Sequence, residues 1–103
     1  MAIEKEITTR NGLNSKYHRI RDISLYNRTP EPPMLDIVVE QWANEDVRRS
    51  KQFRPLDTKS IHIHPAEDET PAEFLAAINA QGILATGYAR MKQRSEYQGG
   101  KDV

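Results

Sequence analysis

Nine residues, Met34 to Trp42 (M-L-D-I-V-V-E-Q-W), constrain this chain more than any other stretch. They are rich in β-branched and aromatic side chains, follow a proline cluster, stop before Asn44, and alternate as a half-buried strand does. Leu35, Ile37 and Val39 share one face, with Ala43 beyond them; Asp36, Glu40 and Trp42 share the other with Met34 and Val38. The second face is therefore mixed, which marks a central strand whose outer side is partly covered.

The remaining elements assemble around that strand. Ile3 to Thr9 carries β-formers and runs into Asn11-Gly12, a dipeptide suited to the positive-φ positions of a hairpin turn. The second arm spans about Leu13 to Tyr26. Within it Ile23 and Leu25 share a face and Ile20 falls on the other, so either one β-bulge between Ile20 and Ile23 brings the three together or the strand is buried on both faces. Asn27 to Pro33, with three prolines in four residues, is a turn or linker that no helix or central strand crosses.

Beyond Trp42, Asn44 is suited to cap a short helix whose first turn is acidic (Glu45, Asp46) and whose end is basic (Arg48, Arg49, Lys51). Leu56 to His64 then reads as a strand, with Ile61 and Ile63 inward and His62 and His64 outward. Thr70-Pro71-Ala72-Glu73 has the form of a capping box with proline at the first helical position. The helix it opens bears Phe74, Leu75 and Ile78 and stops at Gly82. Leu84, Tyr88 and Met91 continue at helical spacing from about Ile83 to Arg94, where Gly87 weakens the helix by up to about 1 kcal/mol. Strands first and helices last predict an α+β domain: a mainly antiparallel sheet of about four strands with C-terminal helices on one face. Residues 1–98 form that single domain, and 99–103 are expected as a short polar tail, mobile unless a partner holds it.

Fifteen basic and fifteen acidic side chains cancel, which removes the long-range attraction that drives non-specific nucleic-acid binding. No cysteine is present, so disulfides, thiolate metal sites and a cysteine nucleophile are excluded. No apolar run is long enough to cross a bilayer, and the start M-A-I-E-K-E lacks the apolar core of a secretion signal. His62 and His64 on one strand face, with His18 or with Glu67 and Asp68, are the only arrangement that suggests a metal; exposed strand histidines are the simpler reading, and no metal or cofactor is expected. None of the serines sits in a nucleophile elbow, and no glycine-rich phosphate loop occurs. The expectation is a protein without enzymatic activity.

Two opposite-sign clusters remain as candidate contact surfaces. Arg48, Arg49, Lys51 and Arg54 surround Phe53, a pattern that in a nucleic-acid protein combines phosphate contact with base stacking; otherwise it is a charged helix face balanced by Glu45 and Asp46. Glu67, Asp68 and Glu69 form an acidic run of the kind found in solvated loops. If the clusters are segregated on the surface, the basic one meets an acidic neighbour and the acidic one a basic neighbour. Trp42 is a core or interface anchor.

Three separated stretches carry a resemblance: E-K-E-I-T-T-R-N-G-L-N-S-K-Y-H-R-I from Glu4 to Ile20, V-V-E-Q-W-A-N-E-D-V-R-R from Val38 to Arg49, and Y-A-R-M-K from Tyr88 to Lys92 with the terminal D-V. Together they resemble the small tail- and baseplate-associated virion proteins of tailed bacteriophages and prophages. The resemblance implies a structural component of the virion tail, baseplate or tail-fibre attachment region, assembled in the host cytoplasm. Such a protein is present in many copies, binds other virion proteins or copies of itself, and has no cofactor or turnover. A capsid decoration or head-to-tail connector subunit is the alternative within that class, and a small regulatory or nucleic-acid-binding module the alternative outside it.

Overall fold

The computed structural model describes residues 1–28, 30–50 and 54–103. Five strands, β1 (Ile3–Thr8), β2 (Asn14–Tyr26), β3 (Met34–Trp42), β4 (Asp57–Ile63) and β5 (Lys101–Asp102), form one antiparallel sheet in the order β4-β3-β2-β1-β5. Three helices, α1 (Glu45–Arg49), α2 (Pro71–Gln81) and α3 (Ile83–Lys92), and a single 3-10 turn at Ser95–Tyr97 complete it. The α+β class, the central place of Met34–Trp42 and the C-terminal helices follow the sequence reading.

The register explains why β2 is long enough to flank the whole of β3. Ile20 pairs with Val39, but the next pair is Asp22 with Val38, so Arg21 is an extra residue. This bulge reverses the parity of the strand and sets Ile20, Ile23 and Leu25 opposite Val39, Ile37 and Leu35 on one face. Of the two readings of β2, the bulge is the one that forms.

That face carries the core. Leu35, Ile37, Val39, Ile61, Ile63, Ile3 and Ile20 pack with Phe74 and Ile78 of α2, Tyr88 and Met91 of α3, and Tyr97. On the opposite face Met34, Asp36, Val38 and Glu40 are half-buried, as their mixed character suggested.

Local chemistry sets the helix ends. Thr70 Oγ1 accepts the Glu73 amide at 3.1 Å while Glu73 Oε1 accepts the Thr70 amide at 3.2 Å, completing the capping box. Gly82, at φ 88°, separates α2 from α3 with a backbone that side-chain-bearing residues rarely adopt. Asn44 caps α1 through its side-chain oxygen, which accepts the Val47 amide at 2.9 Å.

Three expectations are revised. Gly87 is a packing requirement more than a weak point: a Cβ there would lie 2.6 Å from Ile23 Cδ1 and 3.2 Å from Ile20 Cδ1, so its absence lets α3 settle on β2. Leu84 does not join the buried stripe, which runs through Thr86, Gly87, Tyr88 and Met91. The segment 99–103 is also not a free tail. Lys101 and Asp102 pair with Glu4 and Ile3, and the Ala2 and Val103 amides and carbonyls exchange two hydrogen bonds of 3.0 Å. The physical reason is that the N-terminal end of β1 is a sheet edge whose main-chain groups gain partners from this strand.

Candidate functional site

The expected contact residues do not gather into one place. Arg48 and Arg49 lie on α1, where Arg49 Nη2 meets Glu45 Oε1 at 2.6 Å, and Arg54 is exposed. Lys51 and Phe53 lie outside the described residues. Trp42, at the end of β3, is 7% exposed and directs its indole N–H to Glu40 Oε1 at 3.4 Å. In the acidic run Glu67 and Asp68 are exposed, whereas Glu69 is engaged within the chain. Its two oxygens accept from Arg90 Nη1 and Nη2 at 2.8 and 2.7 Å, and Oε1 also accepts the Ala66 amide at 3.1 Å. The Arg90 hydrogen bonds hold the Glu69 carboxyl below its usual range. Arg90 also stacks over Phe74, 5.2 Å from the ring centre.

The histidines separate as well. His62 and His64 are exposed on the outer face, with His62 Nε2 3.3 Å from Asp36 Oδ1. His18 is fully buried on β2 and donates from Nε2 to the Lys5 carbonyl at 2.8 Å. Among the described residues no three His, Asp or Glu side chains converge to hold a metal ion, and no helix is long and apolar enough to cross a membrane.

What the fold does bring together is the far end of the sheet. The β1–β2 turn reaches round to the start of β4: Arg10 Nη2 donates to Asp57 Oδ1 at 3.0 Å and its Nε lies 2.9 Å from Oδ2. Beside it Asn11 Nδ2 reaches the Leu56 carbonyl at 3.4 Å. In a flat sheet these strands stand three spacings, about 14 Å, apart, so the sheet is curled at this end. Gly12, at φ 84°, allows the turn that makes the reach possible.

Inside the curl is an open cavity of about 670 Å³ lined by Ile7, Thr8, Gln41, Thr58, Lys59 and Ser60 among others. Gln41 shares the parity of Leu35, Ile37 and Val39 and is 3% exposed. The charges around the cavity are already matched. Arg10 pairs with Asp57, and Lys59 Nζ meets Glu96 Oε1 at 3.0 Å.

Below the cavity lies a second set of buried polar groups. The His18 and Tyr97 rings meet edge to face, 5.2 Å between centres, and His18 Nδ1 and the Tyr97 hydroxyl are both buried without a hydrogen-bond partner among the described residues. Burial lowers the His18 pKa, with Lys59 contributing in the same sense and the Lys5 carbonyl opposing. Burial raises that of Tyr97, helped by Glu96. Glu96 behaves oppositely: burial pushes its carboxyl up, but hydrogen bonds from Arg94, its own amide and Lys59 outweigh this and bring it to about 2.

Sequence reading passed over Gln41 and the Arg10–Asp57 clasp. A polar residue at a core parity position was the available signal for the first; nothing local signalled the second, whose members stand 47 residues apart. The protein-family models, the curated proteins and the solved structures contain no match to this chain.

Proposed function

We propose that this chain is a non-enzymatic structural protein of a bacteriophage virion, placed in the tail, baseplate or tail-fibre attachment region and acting through contacts with neighbouring subunits. The observation that carries the reading is the state of the sheet's borders. The outer side of β4 has no strand beside it among the described residues, and β5 covers β1 only at Ile3 and Glu4. Such borders hold main-chain donors and acceptors that a neighbouring chain can complete, the mode by which assembly proteins gain partners.

The resemblance of Glu4–Ile20, Val38–Arg49 and Tyr88–Lys92 to phage tail proteins supports the same reading. So does the shape: an elongated body of 43 × 24 × 24 Å with a long β2–β3 arm offers area to several neighbours. Mass spectrometry of purified particles tests the proposal. The chain is expected in stoichiometric amounts with tail or baseplate proteins, and its absence from intact particles overturns the reading.

A further inference from the structure

We infer that the distal half of β2, from Asp22 to Tyr26, is a joint between two copies of this chain, which pair there antiparallel about a twofold axis at Ser24. The inference names one partner for the assembly role and rests on that reading for its biological setting alone.

The topology leaves this border open. β1 pairs with β2 from Asn14 to His18, and the Met1 carbonyl, joined to Ile20 through the Tyr88 hydroxyl, takes the next place along. From Asp22 to Tyr26, β2 pairs with β3 on one side and, among the described residues, with no strand on the other. The Ile20 amide points away from β3, to Tyr88. Counting on from Ile20 through the one extra residue, Arg21, Ile23 and Leu25 turn their main-chain donors and acceptors to the same open side. Edges are normally blunted by charge, yet none of 23–26 is charged; Leu25 and Tyr26 are exposed and Ile23 is half-buried. By contrast β4 carries Lys59, His62 and His64, and β1 is partly covered by β5. Leu84 belongs to the same surface. It stands one helical turn before Tyr88, on the stripe of α3 that reaches this border, and is 45% exposed.

The pattern and charge of this edge fit the same edge of a second copy. Met1 limits pairing at one end and β2 stops at Tyr26 at the other, so all of 22–26 is used when Ser24 meets Ser24 of the second copy. Ile23 then lies opposite Leu25 and Asp22 opposite Tyr26, and the outward main-chain groups of Ile23 and Leu25 in the two copies exchange about four hydrogen bonds. Apolar side chains meet apolar ones, with Leu84 of each copy at the border of the joint. At the axis the small Ser24 side chains allow close approach. Arg28, two residues past Tyr26, comes diagonally beside Asp22 of the second copy. Asp22 is exposed next to Arg21, 3.0 Å away, and gains a second cation there. Opposite charges therefore meet at both ends of an apolar centre, a self-complementary arrangement of the kind an isologous contact requires. The joint is short, so a weak dimer is expected, with a dissociation constant between about 10 µM and 1 mM.

The test is sedimentation velocity of the full chain, with amide exchange followed by NMR, from about 10 µM to 1 mM protein. The expected result is a passage from monomer to dimer over that range, with protection gained at the Ile23 and Leu25 amides. Leu25→Lys is expected to weaken association about tenfold or more at unchanged fold, whereas Leu13→Lys, at an exposed leucine of the β1–β2 turn, leaves it unchanged. If Leu25→Lys fails to fold, Leu84→Lys on the helix surface carries the same expectation. Asp22→Arg and Arg28→Asp should each weaken the dimer about threefold, and the two together should restore it. A chain still monomeric at about 1 mM overturns the inference and leaves the edge to a different protein. A dimer protected along β4 or β1 instead, one indifferent to Leu25→Lys and Leu84→Lys, or a double charge variant that stays weak overturns it as well. The measurement uses isolated protein, so its failure leaves particle membership standing. Absence from particles, conversely, leaves the dimer standing.

Discussion

The Tyr88 hydroxyl accepts a hydrogen bond from the Ile20 amide at 2.9 Å and donates one to the Met1 carbonyl at 2.8 Å. By the β1–β2 register Met1 falls opposite Ile20, so a helix side chain occupies the place of a direct ladder hydrogen bond. α3 is thereby fastened to the sheet by direction as well as by apolar contact. Burial is the main reason that the Tyr88 phenol is held above its ordinary pKa.

Tyr88→Phe keeps the ring and removes both bonds, leaving the Ile20 amide without its partner. The expected cost is about 1–3 kcal/mol, measured by urea denaturation, with an unchanged denaturant slope. Amide exchange at Ile20 should quicken more than at Ile37.

Gly87 separates helix propensity from packing. Replacing it by alanine gains about 1 kcal/mol of propensity but forces Ile23 and Ile20 aside, and overpacking costs about 1–3 kcal/mol. Gly87→Ala is expected to lower stability by about 1 kcal/mol and Gly87→Val by about 3 or more, read from thermal and urea midpoints.

Acid stability should decline in two separate windows. The folded His18 pKa lies below its ordinary 6.5, so the unfolded chain binds the proton more readily. Its contribution is complete above pH 6.5 and is lost as the pH falls from there through the folded value. Glu96 is ordinary at 4.5 when unfolded and about 2 when folded, so its contribution is complete above 4.5 and disappears between 4.5 and 2. Urea titrations across pH 3–7 (about four points) check this: His18→Gln should flatten the upper window alone, and Glu96→Gln should shrink the lower, to which the lowered Glu69 carboxyl also contributes.

Within the acidic run the three carboxylates should behave differently. Glu69→Ala unties the segment before α2 from Arg90 and leaves a partly buried guanidinium unpaired, at an expected cost of about 2 kcal/mol. Glu67→Ala and Asp68→Ala, on exposed positions, should stay within about 0.5 kcal/mol. Thermal midpoints of the three variants, compared directly, decide it.

The legible parts of this fold were those in which neighbouring residues state their own requirements. The Thr70 capping box, the Asn11-Gly12 turn and the alternation of Met34–Trp42 depend on chemistry within a few positions, and the bulge was readable because Ile20 and Ile23 had the wrong parity for one face. The pairing of 101–102 with β1, the clasp of Arg10 on Asp57 and the use of Glu69 by Arg90 join residues far apart in the chain. They depend on how the sheet curls and where the helices land, which no local pattern encodes. Gly87 shows the same division: its propensity was visible, and the close approach of α3 to β2 that gives it value was not.

The mutual hydrogen bonds of Ala2 and Val103 have a practical corollary. Fluorophores or affinity tags attached at either extremity will report from the same rim of the molecule. Joining the extremities through a few linker residues, and reopening the chain at the exposed 66–68 turn, should yield a circular permutant that keeps the sheet.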